Sequence, residues 1–176
     1  RRTGVPGSAV VPTVEGHRPL LVEVQALTVP VAHGAPPRRS AQGVDAGRLA
    51  MLLAVLERRA RLSLARSEAY VSVVGGVKLD DPGADLGMCL ALASAHNNRP
   101  LPPQLVAVGE VGLAGEVRQV AHLERRLHEA ARLGYRQALI PASSNVAVGG
   151  LHITRVSGLA EAFAAAMING SNGPPL

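Results

Sequence analysis

Two β-rich runs, Ser8 to Val14 and Pro19 to Val29, flank Glu15-Gly16-His17, and this pattern predicts a β-hairpin. Three prolines and two glycines then break any period between Val29 and Gly43, so that stretch is expected to be a loop. Helical spacing begins after Asp45, the expected N-cap. Leu49, Leu52, Leu53 and Leu56 fall at i, i+3, i+4 and i+7 and make one apolar stripe, with Arg48, Arg58 and Arg59 largely off it. A strand is expected over Glu68 to Gly75. A second helix is expected within Asp81 to Asn97, where Leu86, Cys89, Leu90 and Ala93 repeat the spacing. Leu105 to Val111 and Glu116 to Val120 predict a second hairpin across Leu113-Ala114-Gly115. A third helix follows, with Leu123, Leu127, Ala130 and Ala131 inward, His122, Arg125, Arg126 and Glu129 outward, and Gly134 as its stop. Short strands at Gln137 to Pro141 and His152 to Val156 and a helix over Gly158 to Ile168 complete the order. Hairpins mixed with strand–helix crossovers argue for a single α+β or α/β sandwich.

The 176 residues suffice for one domain with a real core. Aromatics are limited to Tyr70, Tyr135 and Phe163, so the core must be built from Leu, Val, Ile and Ala. No apolar run approaches the length of a membrane span and nothing resembles a signal peptide. The single cysteine, Cys89, excludes an intrachain disulfide and fits a reducing, cytoplasmic setting. The chain starts Arg-Arg-Thr without a methionine, as expected of a fragment of a longer polypeptide.

Charge changes the picture more. Between Pro36 and Arg66 seven arginines face two carboxylates, a local excess equal to the +5 of the whole chain. Such a concentrated field favours a polyanionic partner, with nucleic acid foremost, although a solvated helix face would look the same. Lys78 is the only lysine and is followed by Leu79, so ATP binding through a Walker loop is excluded. The six histidines (17, 33, 96, 122, 128 and 152) show no metal-ligand spacing. The turn KLDDPGADLG, ahead of the second helix, sits where enzymes often hold a nucleophile, yet it carries no hydroxyl or thiol. Cys89 lies on the apolar stripe, where a thiol stays protonated. Asp80, Asp81 and Asp85 could act as a base or hold a divalent cation, but short acids around a proline at a helix start are more often caps.

Three long segments agree in order and spacing with one family: RRSAQGVDAGRLAMLLAVLERR, YVSVVGGVKLDDPGADLGMCLALAS and LVAVGEVGLAGEVRQVAHLERRLHEAARLGY. They resemble the C-terminal Lon-protease-like domain of the bacterial RadA (Sms) DNA repair family, from about Gly7 to about Ala165. The resemblance implies an α/β (α+β) sandwich of the Lon proteolytic-domain type, like domain 2 of ribosomal protein S5. One such domain is expected over 1–168, with a disordered tail at 169–176. It implies a parent protein with a zinc finger and a RecA-like ATPase core that drives branch migration. ATP, Mg and Zn are therefore expected only in those modules, and no cofactor or metal in this fragment.

In Lon proteases the serine sits in a D-G-P-S-A-G turn and its lysine partner in a G-G-L-K-E-K turn. Matched to this chain, the first falls on residues 80–85 and puts the nucleophile position at Gly83. The second falls on residues 121–126 and puts the base position at Glu124. Both halves of the dyad are then missing, and a non-catalytic domain is expected. The resemblance further implies DNA contact and a homo-oligomer, a hexamer, with no membrane association. Arg38, Arg39 and Arg48 match the family's basic stretch; with Arg58 and Arg59 they are the expected DNA-binding residues. Arg38 and Arg39, on a loop just ahead of a helix N-terminus, would make a phosphate site. With so few aromatics no base-stacking platform is expected, so contact with single-stranded or branched DNA should be to the backbone and sequence-independent. Two alternatives remain. One is a residual peptidase using Lys78. The other is a pure assembly domain whose arginines meet acidic residues of neighbouring subunits.

Overall fold

The alternating residues of the first hairpin set the centre of the fold. In the computed structural model, which describes residues 4–32 and 34–168, β1 (Ser8–Glu15) and β2 (Arg18–Pro30) pair antiparallel from Ser8↔Gln25 to Glu15↔Arg18. Five further strands extend this pair: β3 (Arg39–Gln42), β4 (Ser67–Val73), β5 (Leu105–Ala107), β8 (Gln137–Pro141) and β9 (His152–Val156). The order is β3-β4-β2-β1-β5-β8-β9, with β2 antiparallel to both neighbours and every other pairing parallel. A separate two-stranded ribbon joins β6 (Glu110–Val111) to β7 (Val117–Arg118).

Helices cover both faces. On one lie α1 (Ala46–Arg59), α2 (Asp85–His96) and α4 (Leu159–Ala165), packed on the inward residues Val11, Val24, Val71 and Ala107. On the other lies α3 (Leu123–Arg132), whose Leu123, Leu127 and Ala130 pack against Val106, Ala138 and Ile140. Successive strand residues point to opposite faces, so each central strand feeds both cores. This is the mixed α/β sandwich that the resemblance implied.

The apolar stripe of α1 is buried as its spacing predicts, and Asp45 caps it, accepting the Arg48 N–H at 2.9 Å. Helix α2 differs from expectation. It is buried all round from Asp85 to Ser94 rather than along one stripe, because it runs through the centre of the layer between sheet and outer helices. Gly87 permits that position: a Cβ there would collide with Val11 Cγ2 on β1. Helix α3 ends as predicted, with Gly134 at a φ of 92°.

Two loop and strand boundaries need correction. The stretch 29–43 is not wholly loop: β2 continues to Pro30, and Arg39–Gln42 forms the edge strand β3, parallel to β4. The expected strand Leu105 to Val111 splits into β5 and β6, because the chain leaves the main sheet at Gly109, whose N–H donates to the Gly83 carbonyl at 3.0 Å. The expected tail at 169–176, the start Arg1 to Thr3 and His33 lie outside the described residues. Among the described residues no helix is long and apolar enough to cross a membrane.

Candidate functional site

The turn between β4 and α2 is held by two arginine–carboxylate clamps, each drawn from a different helix. A 3-10 turn at Pro82–Ala84 leads into α2. Asp81 caps it, accepting the Gly83 N–H at 2.9 Å on Oδ1 and the Thr13 hydroxyl at 2.8 Å on Oδ2. Arg126 of α3 grips the same carboxylate with both terminal nitrogens, Nη2 reaching Oδ1 at 3.1 Å and Nη1 reaching Oδ2. The guanidinium also donates to the Pro12 carbonyl at 3.2 Å and the Ala121 carbonyl at 2.9 Å. Burial pushes the Asp81 carboxyl up, but the hydrogen bonds from Arg126, Thr13 and the Gly83 N–H outweigh it and hold the group below its ordinary value.

Four residues on, Asp85 is fully buried. It is not a cap. Its carboxylate accepts Arg48 Nε at 2.7 Å and Arg48 Nη2 on its second oxygen, together with the Val111 N–H at 3.0 Å. Arg48 raises its own affinity for its proton through that bond, while burial pushes Asp85 up against the pull of Arg48. Asp85 thus ties α1, α2 and the β6–β7 ribbon at one point. Burial also pushes the Cys89 thiol up, away from any nucleophilic role.

Around Gly83 the geometry adds a side chain that the motif match did not name. Glu124 does not face Gly83; its side chain is 70 % exposed, with its carboxylate 3.6 Å from His128 Nε2. The side chain aimed at Gly83 is Arg126. A Cβ added at Gly83 would lie 2.8 Å from Arg126 Nη1 and 3.1 Å from Asp81 Oδ1, so the glycine leaves room for the guanidinium. Arg126 was expected to point outward, yet it is buried. Its spacing from Leu123, Leu127 and Ala130 is that of the apolar face, a signal present in the sequence. Guanidinium cannot give up its proton near neutrality, so it cannot serve as the base. Gly83→Ser is expected to lower stability by about 1–3 kcal/mol through overpacking and to create no peptide cleavage. Urea unfolding and incubation with an unstructured protein substrate check both halves; cleavage by this single variant would refute the arrangement.

The remaining arginines are distributed unevenly. Arg38 and Arg39 are exposed at the β3 edge; Arg39 Nη2 donates to the Leu64 carbonyl at 3.1 Å, and the Arg38 carbonyl accepts the Ala69 N–H. Arg58 and Arg59 are exposed on the last turn of α1, where they favour the helix dipole, and Arg59 Nε reaches the Leu113 carbonyl at 3.3 Å. Parallel pairing of β3 with β4 therefore brings Arg38 and Arg39 beside the α1–β4 connection, which also carries exposed Arg61 and Arg66. At the α1 N-terminus, where the phosphate site was expected, the Asp45 carboxylate takes one of the helix N–H groups, that of Arg48. Arg48 turns inward to Asp85 and leaves the exposed set. Lys78 is exposed. Among the described residues, no group of three or more His, Cys, Asp or Glu could hold a metal ion.

Residues 61–166 match the Lon protease (S16) C-terminal proteolytic domain. The chain is 48 % identical over 163 residues to the DNA repair protein RadA of Mycobacterium tuberculosis, covering 93 % of this chain and 34 % of that protein. It is 49 % identical over 141 residues to RadA of Halalkalibacterium halodurans, covering 80 % and 31 %. For RadA of Bacillus subtilis the figures are 43 % over 166 residues, 93 % and 36 %. The chain thus spans about a third of the length of the curated relatives it matches.

Proposed function

Because the chain belongs to the Lon protease (S16) C-terminal proteolytic domain family and is similar to bacterial DNA repair proteins, we propose that it is a non-catalytic Lon-type module that presents DNA with a cationic surface. The observation that carries the reading is the Gly83–Arg126 contact. Where a peptidase needs a hydroxyl with a proton acceptor beside it, this chain has an empty side-chain position filled by a permanent cation. That leaves a rigid scaffold whose exposed guanidinium groups, Arg38, Arg39, Arg58 and Arg59, surround the α1–β4 connection. Arg48 is left out of this set, since its charge is spent on Asp85.

Arginine forks on a surface of this kind bind phosphates without reading sequence. A hexameric assembly acting in branch migration belongs to the same reading, with this domain as its non-catalytic scaffold. The test is DNA binding across a salt series. Affinity should fall steeply with salt, and Arg38→Ala/Arg39→Ala should flatten the log–log slope by about 2, near one for each lost phosphate contact. An affinity insensitive to salt, or a double variant indistinguishable from the parent, would remove the electrostatic part. The competing residual peptidase is tested by Lys78→Ala, since no other lysine could act as base.

A further inference from the structure

The two hairpin strands and their neighbours leave part of one sheet face uncovered. Helix α3 packs over β1, the first half of β2, β5 and β8, while the outward residues of β3, β4 and the second half of β2 have no helix on them among the described residues. Register fixes what this face displays. Leu27, Tyr70 and Ser40 lie side by side across β2, β4 and β3. The next row holds Ser8, Gln25, Ser72 and Gln42. Together they floor a hollow of about 380 Å³, with Val5 on its rim.

Its chemistry suits one kind of guest. The first row is a flat apolar floor, an aromatic ring beside a leucine that is 58 % exposed. The second row is uncharged, and the side chains of Ser8, Ser72 and Gln42 can both donate and accept. The two carboxylates of this face are engaged: Glu68 accepts the Tyr70 hydroxyl, and Glu23 accepts the Gln25 amide at 3.0 Å. Arg38 lies close enough for its charge to act on Tyr70. A nucleobase has the same two parts, a flat π-face and an edge that both donates and accepts, followed by a phosphate. In a duplex that edge is paired and that face is stacked, so only an unpaired nucleotide could enter.

We propose that this hollow takes one unpaired base of a DNA single strand, stacked on Tyr70 with its edge over Gln42 and Ser72 and its phosphate at Arg38. The inference rests on the DNA-binding reading above and sharpens it from any backbone to single strands. It also departs from the sequence expectation that no stacking platform exists: one half-exposed aromatic suffices when the sheet sets it beside an exposed leucine and a polar row.

The test compares an oligothymidine with a strand of equal length and charge that carries abasic sites, by anisotropy at one salt concentration with the 176-residue chain. The base-bearing strand should bind about tenfold more tightly. Tyr70→Ala should abolish that difference, and Tyr70→Phe should keep it. A 5-iodouracil strand should crosslink to Tyr70 of the unsubstituted protein, a readout that does not depend on how a variant folds. Equal affinity for the two strands with a steep salt slope would overturn the base site and leave the electrostatic surface standing. A crosslink confined to other residues would also overturn the base site. No binding by either strand would overturn both.

Discussion

Arg48→Ala should lower the free energy of unfolding at pH 7 by about 3–5 kcal/mol, because it strands a fully buried carboxylate. Asp85 would keep only the Val111 N–H. A carboxyl can escape part of that cost by taking up a proton, which gives the loss a pH signature. Burial already holds Asp85 above its ordinary value in the intact pair, and removing Arg48 takes away its main offset. A folded pKa above the unfolded one penalises the folded state as pH rises. The deficit of the variant should therefore be small below about pH 4 and grow above it. Urea unfolding at pH 4, 5.5 and 7 reads this directly. Arg48→Met/Asp85→Leu, which removes both charges, should recover most of the loss. A deficit that does not change with pH would mean that Asp85 is not the stranded group.

Asp81→Ala should cost a similar amount, about 3–5 kcal/mol, but with its pH dependence confined to more acidic solution. Here the group left behind is Arg126, with a side chain only 5 % exposed. Arginine cannot shed its charge to escape, so the variant's own stability has no titration to soften it. In the parent protein the Asp81 carboxyl lies below its ordinary value. Its stabilisation is complete above the unfolded value of about pH 4 and is lost as pH falls through the lower folded value. Parent and variant should therefore differ by a constant amount between pH 5 and 7 and converge only under stronger acid. Convergence already at pH 5 would contradict the depressed carboxyl. A deficit that varies between pH 4 and 7 for Arg48→Ala and one that is flat between pH 5 and 7 for Asp81→Ala would separate the two clamps experimentally.

Much of the frame is readable in the chain itself. The first hairpin, the α1 stripe with its Asp45 cap, the strands at 137–141 and 152–156 and the stop at Gly134 all follow from local pattern and turn chemistry. The absence of a hydroxyl at Gly83 is equally visible, and with it the chemical deficit of the turn. Edge strand β3 is not: its four residues sit among prolines and glycines and become a strand only because β4 offers a parallel partner. The two arginine clamps are not visible either, since helix patterning sorts residues into apolar and polar and assigns every arginine to solvent. Arg126 occupies an apolar position of α3, and that spacing against residue type was the one available warning.

Periodicity, composition and motif order determined the elements, the α/β class and the absence of a hydroxyl or thiol from the turn ahead of α2, because these depend on near neighbours and on which atoms a side chain owns. Only the folded arrangement decided which cations are free. Arg48 and Arg126 are consumed by carboxylates of α2 and the turn ahead of it, Arg38 and Arg39 are left at an edge, and Tyr70 is set on an open face. Charge and burial are set by what meets across the sheet, at separations along the chain of 37 and 45 residues for the two clamps, where local pattern carries no information.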